Sequence, residues 1–110
     1  MPKHGKNYNN AAAKIEALAT WSESLRDTIA GAVGLEQAIP ATVYAAAPVL
    51  REDLALLADR MRVRVPLPTA LRQFADSLGD PTADLIASAL IMNARLRGPG
   101  LRQLLSALAD

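Results

Sequence analysis

The sequence predicts an all-α fold, a compact bundle of about six short antiparallel helices arranged as three hairpins. Hydrophobic residues make up 51% of the 110 residues, whereas aromatic residues make up only 4%. Most of the apolar residues are Ala and Leu, which favour helices. They recur at intervals of three and four residues between Gly and Pro breaks, as expected for helices that each bury one face.

The N-terminal residues divide into a tail and a first helix. Residues 1–12 are polar, and we expect them to form a tail that is flexible or not native to the protein. The helical domain is then predicted to span 13–110. The first helix is predicted over 11–32 by its periodicity. Its buried face is expected to comprise Ile15, Leu18, Ser22, Leu25, Ile29 and Ala32.

Two further helices are predicted before the middle of the chain. The second covers 35–46 and contains Pro40, which removes one backbone hydrogen bond and favours a kink or a shorter helix. The third covers 48–62. The buried face of the third helix is expected to comprise Leu50, Leu54, Leu57 and Met61.

Glycine and proline delimit the remaining three predicted helices. The fourth covers 68–78 and is followed by Gly79, a residue that suits a helix C-terminus. Asp80 and Pro81 form an N-cap and first-turn pair that begins the fifth, which extends to about Arg97. The sixth is predicted over 101–108. The inward residues are predicted to be Leu71, Phe74 and Leu78 in the fourth helix, Leu85, Ala89, Met92 and Leu96 in the fifth, and Leu101, Leu104, Leu105 and Leu108 in the sixth.

A weak internal repeat supports the arrangement in hairpins. Residues 25–39 align with residues 57–71 at an offset of 32, with Leu, Asp, Val, Leu and Ala identical. The same turn pattern recurs over 100–105. Each copy reads as the end of one helix, a tight turn and a helix whose first turn packs on the previous one.

Composition excludes several function classes. The chain has no Cys and a single His, His4, so thiolate chemistry and any two-histidine site are excluded. A net charge of +1 does not indicate nucleic-acid binding. None of the serines has a histidine partner apart from His4 in the tail. We therefore predict a protein that is not an enzyme and needs no cofactor or metal.

Two groups of acidic residues are candidates for a metal or catalytic site. Glu52, Asp53 and Asp59 lie in one predicted helix, and Asp76, Asp80 and Asp84 surround the Gly79 turn. A solvated helix face explains the first group. Capping by Asp80 and a favourable helix dipole for Asp84 explain the second. No metal ligand is predicted.

From about Ile15 to Asp110 the chain resembles the F domain of type II secretion systems. The resemblance rests on pieces that occur in the family's order, none of them specific by itself. They are Leu25-Arg26-Asp27, Gly34-Leu35-Glu36-Gln37-Ala38-Ile39, Leu50-Arg51-Glu52-Asp53-Leu54, Val65-Pro66-Leu67-Pro68-Thr69-Ala70-Leu71, Phe74-Ala75 to Asp80-Pro81, Arg97-Gly98-Pro99-Gly100-Leu101 and Leu104-Leu105. The set looks most like the actinobacterial pilus or secretion branch.

The resemblance implies a scaffold. The family's F domain is the cytoplasmic part of an inner-membrane platform protein for secretion, type IV pilus or Flp-Tad pilus assembly. It implies docking to the cytoplasmic assembly ATPase and to other platform subunits, with self-association into a homo-oligomer. It also implies a location at the cytoplasmic face of the bacterial inner membrane and a parent protein with transmembrane helices.

Two positions depart from the family pattern. Pro66 replaces a glycine that often precedes the second Leu-x-x-Ala-Leu. Arg95 and Arg97 stand where an acidic residue often precedes the final glycine turn. No acidic or metal-binding function at that position is carried over to this chain.

The candidate partner-binding residues are arginines and one tryptophan. The body of the domain is cationic through arginine, which binds carboxylates and phosphates through a fixed fork of donors. Helix C-capping and solubility are the alternative explanation. Trp21 lies at the edge of a predicted core face, either covering the core or anchoring a partner. The candidates are Arg60, Arg62, Arg64, Arg95, Arg97, Arg102 and Trp21.

A second class of function also fits the sequence. The chain would then be a free-standing cytoplasmic helical adaptor or a regulatory protein-interaction domain, with no link to secretion. Genes for a secretion ATPase and pilins nearby would favour the platform reading. A stop codon directly after Asp110 would favour the adaptor.

Overall fold

The structure, a computed structural model, describes the backbone of residues 2–30, 34–97 and 105–109, and the side chains of residues 11–30, 34–96 and 105–109. All regular secondary structure in these ranges is α-helical, which confirms the predicted all-α class. The helices are α1 (Pro2–Ala30), α2 (Leu35–Thr42), α3 (Pro48–Arg62), α4 (Leu67–Leu78) and α5 (Pro81–Arg97), and residues 105–109 form a further helical segment.

Helix α1 is longer than the sequence predicts. It begins at Pro2, so the backbone of the expected tail is helical from that residue onward. Leu18, Leu25 and Ile29 are buried as predicted, but Ile15 is 36% exposed. Ser22 is half-buried and satisfies its hydroxyl by donating to the Leu18 carbonyl at 2.8 Å. Ala32 lies outside the described residues.

Helix α2 ends at Thr42, earlier than the predicted Ala46. Pro40 has no N–H to donate, which weakens the helix just before its end. The chain then tightens, because Val43 N–H donates to the Pro40 carbonyl at 3.4 Å and Ala46 N–H to the Val43 carbonyl at 3.2 Å. Arg51 Nη2 donates to the Ala46 carbonyl at 3.0 Å and holds this turn against α3.

The 32-residue repeat is present in the structure. Helices α1 and α3 end 32 residues apart, at Ala30 and Arg62, and α2 and α4 begin 32 residues apart, at Leu35 and Leu67. Equivalent positions are buried in both copies, namely Leu25 with Leu57, Ala38 with Ala70, Ile39 with Leu71 and Val43 with Ala75. The two hairpins therefore share the position of the turn between their helices and these four core positions.

The repeat also explains why proline is tolerated at position 66, where the first copy of the repeat has Gly34. Gly34 caps α2 with φ −72° and ψ 163°, and Pro66 caps α4 with φ −54° and ψ 138°. Both conformations are extended with negative φ, which proline adopts readily. Both carbonyls accept the first helical hydrogen bond, from Ala38 N–H and from Ala70 N–H at 2.9 Å each.

Helix α5 begins as predicted but turns a different face to the core. Asp80 Oδ1 accepts a hydrogen bond from Thr82 N–H at 2.8 Å, which confirms the predicted N-cap. The predicted inward face is wrong. Ala83, Ala87 and Ile91 are buried, whereas Leu85, Ala89, Met92 and Leu96 are exposed.

The third predicted hairpin is described only in part. Residues 98–104 lie outside the described residues, and with them Leu101, Leu104 and most of the third repeat of the turn. Residues 105–109 are helical, but Leu105 and Leu108 are 55% and 74% exposed, not buried as predicted.

Helices α1 to α5 form a closed ring. Each contacts the next along the chain, α5 returns to contact α1, and α1 also contacts α3 across the ring. Short connections make consecutive helices antiparallel, so α1, α3 and α5 run in one direction. The Lys14–Asp53 ion pair at 3.2 Å, which joins the early parts of α1 and α3, fits this arrangement. No helix in the described part of the chain combines the length and apolar character needed to cross a bilayer.

Candidate functional site

The described candidate arginines lie toward one end of the bundle. Helices α1, α3 and α5 are parallel, so their C-terminal ends meet there. Arg60 and Arg62 close α3, Arg64 follows it, and Arg95 lies in the last turn of α5. Arg62, Arg64 and Arg95 are exposed, and Arg60 is half-buried. We call this end, with these four residues, the arginine end.

A tight turn ends α3 and contains Arg60, Arg62 and Arg64. Val65 N–H donates to the Arg60 carbonyl at 2.9 Å, and Arg64 N–H to the Met61 carbonyl at 3.0 Å. These two bonds form a Schellman motif with Arg64 at the left-handed position. Arg64 has φ 70°, a conformation that glycine normally occupies at such a stop. The helix therefore ends at Arg62, where the sequence predicts its end.

The charge at this end is only partly neutralised. Arg62 Nη2 lies 2.8 Å from Asp59 Oδ1, and both side chains are largely exposed. Water and salt screen such a pair strongly, so Arg62 stays available to a partner that binds it more tightly. Arg97 ends α5, but its side chain and the whole of Arg102 lie outside the described residues.

A cleft that the sequence did not predict borders the arginine end. It lies between α2 and α3 and has a volume of about 440 Å³. Its lining is mainly apolar and also contains Tyr44, Arg62 and two acidic residues, Glu36 and Asp59. Tyr44 is 83% exposed. Its position was missed because α2 was predicted to continue to Ala46, whereas the helix ends before Tyr44 and the turn leaves the ring in solvent.

Trp21 belongs to the core and not to a binding surface. The side chain is 1% exposed. Its Nε1–H donates to Thr42 Oγ1 at 2.9 Å, and its ring lies 5.7 Å from that of Phe74, centre to centre. Of the two interpretations, the structure supports core packing, because a tryptophan buried in this way cannot anchor a partner. No local pattern in the sequence indicates its hydrogen bond with Thr42.

Three of the acidic candidates lie away from the arginine end, whereas Asp59 lies beside Arg62. Asp76, Asp80 and Asp84 lie where α4 ends and α5 begins, at the end of the bundle opposite the arginine end. Asp80 caps α5, and Asp53 and Asp59 pair with different cations, Lys14 and Arg62. Among the described residues, no group of three or more His, Cys, Asp or Glu side chains is placed to hold a metal ion.

A second groove lies between α1 and α5. Its volume is about 380 Å³, and its apolar lining includes Leu25, Ile29, Ile86 and Leu90. Beside it, α5 exposes the large side chains of Leu85, Met92 and Leu96. The sequence singled out these residues but assigned them to the core.

Comparison with protein-family models, with curated proteins and with solved structures finds no match for this chain. The fold class and the site geometry are therefore established from the chain itself. Its membership of the F-domain family remains a prediction that rests on the ordered motifs.

Proposed function

We propose that this domain is a non-catalytic scaffold whose arginine end docks an acidic protein surface. The observation that carries the proposal is the cleft between α2 and α3, which an exposed tyrosine and an exposed arginine both line. Tyrosine and arginine are the residue types that most often dominate the energy of protein interfaces. Here Tyr44 and Arg62 line one cleft, and the exposed Arg64 follows Arg62 by two residues.

The distribution of charge supports an oriented contact. The arginine end is opposite an end that carries Asp76, Asp80 and Asp84. Complementary charge steers an acidic partner to the basic end and disfavours the reverse orientation. The balanced total charge of +1 argues for a local docking surface over general attraction to polyanions.

By its resemblance to the F domain, the partner we propose is the cytoplasmic assembly ATPase of a secretion or pilus system. The other platform subunits would contact the rest of the surface, and the domain would act at the cytoplasmic face of the bacterial inner membrane. A closely packed helical bundle transmits force well because packed interiors deform little. The buried, mainly aliphatic core around Trp21 and Phe74 is suited to that task.

The test is binding to the purified assembly ATPase encoded nearest to this chain's gene. The variant Arg62→Gln/Arg64→Gly/Tyr44→Ala removes the docking groups, and Gly also suits the left-handed φ at position 64. We expect the affinity of this variant to fall by roughly tenfold or more. The control is Gln73→Ala/Arg72→Gln, which alters exposed residues of α4 and should bind like the unchanged protein.

Two results would contradict the proposal. If the unchanged domain does not bind the ATPase, the platform function fails, and the adaptor remains as the alternative. If both variants bind equally well, the ATPase is a partner but the arginine end is not the docking surface. Reading the gene beyond Asp110 gives an independent check, because a platform protein would continue into hydrophobic helices.

A further inference from the structure

Helix α5 has two apolar faces, and only one of them is used in the bundle. Ala83, Ala87 and Ile91 face the core. On the other side Leu85, Met92 and Leu96 are 72%, 57% and 54% exposed, and Ala89 between them is also exposed. Soluble monomers seldom leave such a continuous row of large apolar side chains in water, so the row indicates a contact surface.

The spacing of the exposed row is that of a coiled-coil seam. Residues 85, 89, 92 and 96 follow one another at intervals of four, three and four, which is the alternation of the d and a positions of a heptad. Only a second helix laid nearly parallel or antiparallel to α5 uses the full length of such a seam. The occupant that the spacing favours is therefore a helix.

We propose that the occupant is α5 of a second copy of this chain, packed antiparallel about a twofold axis that passes between residues 90 and 91. This axis places Leu85 opposite Leu96 of the second copy, and Ala89 opposite its Met92. Each large methionine then meets a small alanine, and the leucines meet at both ends. A twofold interface requires this kind of self-complementarity.

The charges beside the seam fit the same twofold. Asp84, Ser88 and Arg95 lie on one flank of the exposed row, and all three are exposed. In an antiparallel pair related by a twofold, each flank faces the same flank of the other copy. Asp84 of each copy then lies near Arg95 of the other copy. The twofold therefore gives two equivalent ion pairs. With a net charge of +1 per chain, little repulsion opposes the association.

This proposal does not depend on the docking function of the arginine end. Its seam comprises Leu85, Ala89, Met92 and Leu96, none of which lines the cleft between α2 and α3. Arg95, which flanks the seam, belongs to the arginine end but does not line that cleft. The competing occupant is the chain's own helical segment 105–109, which also exposes two leucines. If segment 105–109 covered the seam, the protein would be monomeric. A measurement of the oligomeric state therefore distinguishes the two occupants.

The experiment measures the dimer dissociation constant by sedimentation equilibrium. We expect the unchanged protein to dimerise, and Met92→Arg to abolish the dimer because it places two charges at the centre of the seam. Gln73→Arg, which adds the same charge on an exposed position of α4, should leave the dimer intact. Circular dichroism should show that both variants stay folded.

A charge exchange tests the register. Asp84→Arg and Arg95→Asp should each weaken the dimer by roughly tenfold, because each converts both ion pairs into like-charge contacts. The double variant Asp84→Arg/Arg95→Asp should recover most of the loss. Recovery is expected only if the two positions face each other across the twofold.

Disulfide trapping gives a second readout, because the natural chain contains no cysteine. A mixture of Leu85→Cys and Leu96→Cys chains should form crosslinked heterodimers, whereas Leu85→Cys alone should not crosslink. A monomeric unchanged protein, a double charge variant without recovery, or crosslinking of Leu85→Cys to itself would each overturn the proposal.

Discussion

At the scale of single residues, one buried hydroxyl connects the first two helices. Thr42 is the only polar residue among those fully buried in the described part of the chain. Its Oγ1 accepts from Trp21 Nε1 at 2.9 Å and lies 3.0 Å from the carbonyls of Ala38 and Ile39, to which it donates. The indole N–H therefore has a partner inside an apolar core, which a buried tryptophan requires.

Thr42→Val should show what this hydrogen bond contributes. Valine has nearly the same shape but leaves the indole N–H of Trp21 without an acceptor. We expect the free energy of unfolding to fall by about 1–3 kcal/mol, the cost of an unsatisfied buried donor. Urea unfolding followed by the fluorescence of Trp21, the single tryptophan, measures it directly.

Thr20→Val is the matched control for that substitution. Thr20 is exposed, and its hydroxyl donates only to the Glu16 carbonyl at 3.2 Å in its own helix. We expect a change within about 0.5 kcal/mol. Equal effects of the two valine substitutions would mean that the Trp21–Thr42 hydrogen bond does not stabilise the fold.

At the scale of elements, α5 shows where sequence patterns are ambiguous. Both of its faces are apolar, and periodicity alone favours the face with the larger residues, which carries Leu85, Met92 and Leu96. The core uses the other face because small side chains at Ala83 and Ala87 allow close packing of α5 on its neighbours. Hydrophobicity ranks residues by size, whereas packing depends on the space that the neighbouring helices leave.

Substitutions that change side-chain size should affect stability on the core face of α5 and not on its exposed face. Ala87→Leu adds a large side chain where residue 87 is 3% exposed, and overpacking should lower the unfolding free energy by about 1–3 kcal/mol. Leu85→Ala removes an exposed side chain and should change the stability of the monomer by no more than about 0.5 kcal/mol. Thermal unfolding at low protein concentration compares them.

The sequence-based orientation of α5 makes the reverse prediction. With Leu85 inward, Leu85→Ala would be the costly change, and Ala87→Leu would be tolerated on the surface. The sign of the difference between the two variants therefore decides which face of α5 is in the core.

Helix boundaries were more predictable than helix orientation. The Asp80 cap, the Gly79 stop and the four-residue connections before Leu35 and Leu67 depend on local backbone chemistry, which the sequence displays directly. The cleft beside Tyr44 depends on where α2 ends under the influence of Pro40. Contacts between distant helices, such as Trp21 with Thr42, have no local signal.

At the scale of the whole molecule, the contact between α5 and α1 distinguishes this fold from an open repeat. In an open solenoid each unit contacts only its neighbours, so the ends unfold independently. Here the last described long helix packs on the first, and the core is shared by all five helices. The ring should therefore unfold as one unit.

Cooperative unfolding is testable with substitutions in the first and the last of the five long helices. Leu25→Ala in α1 and Ile91→Ala in α5 remove large buried side chains, and each should cost about 2–5 kcal/mol. For both variants, Trp21 fluorescence and helical circular dichroism should give the same unfolding midpoint. A dichroism midpoint below the fluorescence midpoint for Ile91→Ala alone would show that α5 unfolds separately.

The shared direction of α1, α3 and α5 has a further consequence for the proposed pair. A twofold axis across α5 reverses one copy relative to the other, so the two arginine ends point away from each other. One dimer would then join two acidic partners on opposite sides, and a single flat surface could engage only one end. The expected stoichiometry is two partners bridged by one pair, with the domain acting as a spacer between them.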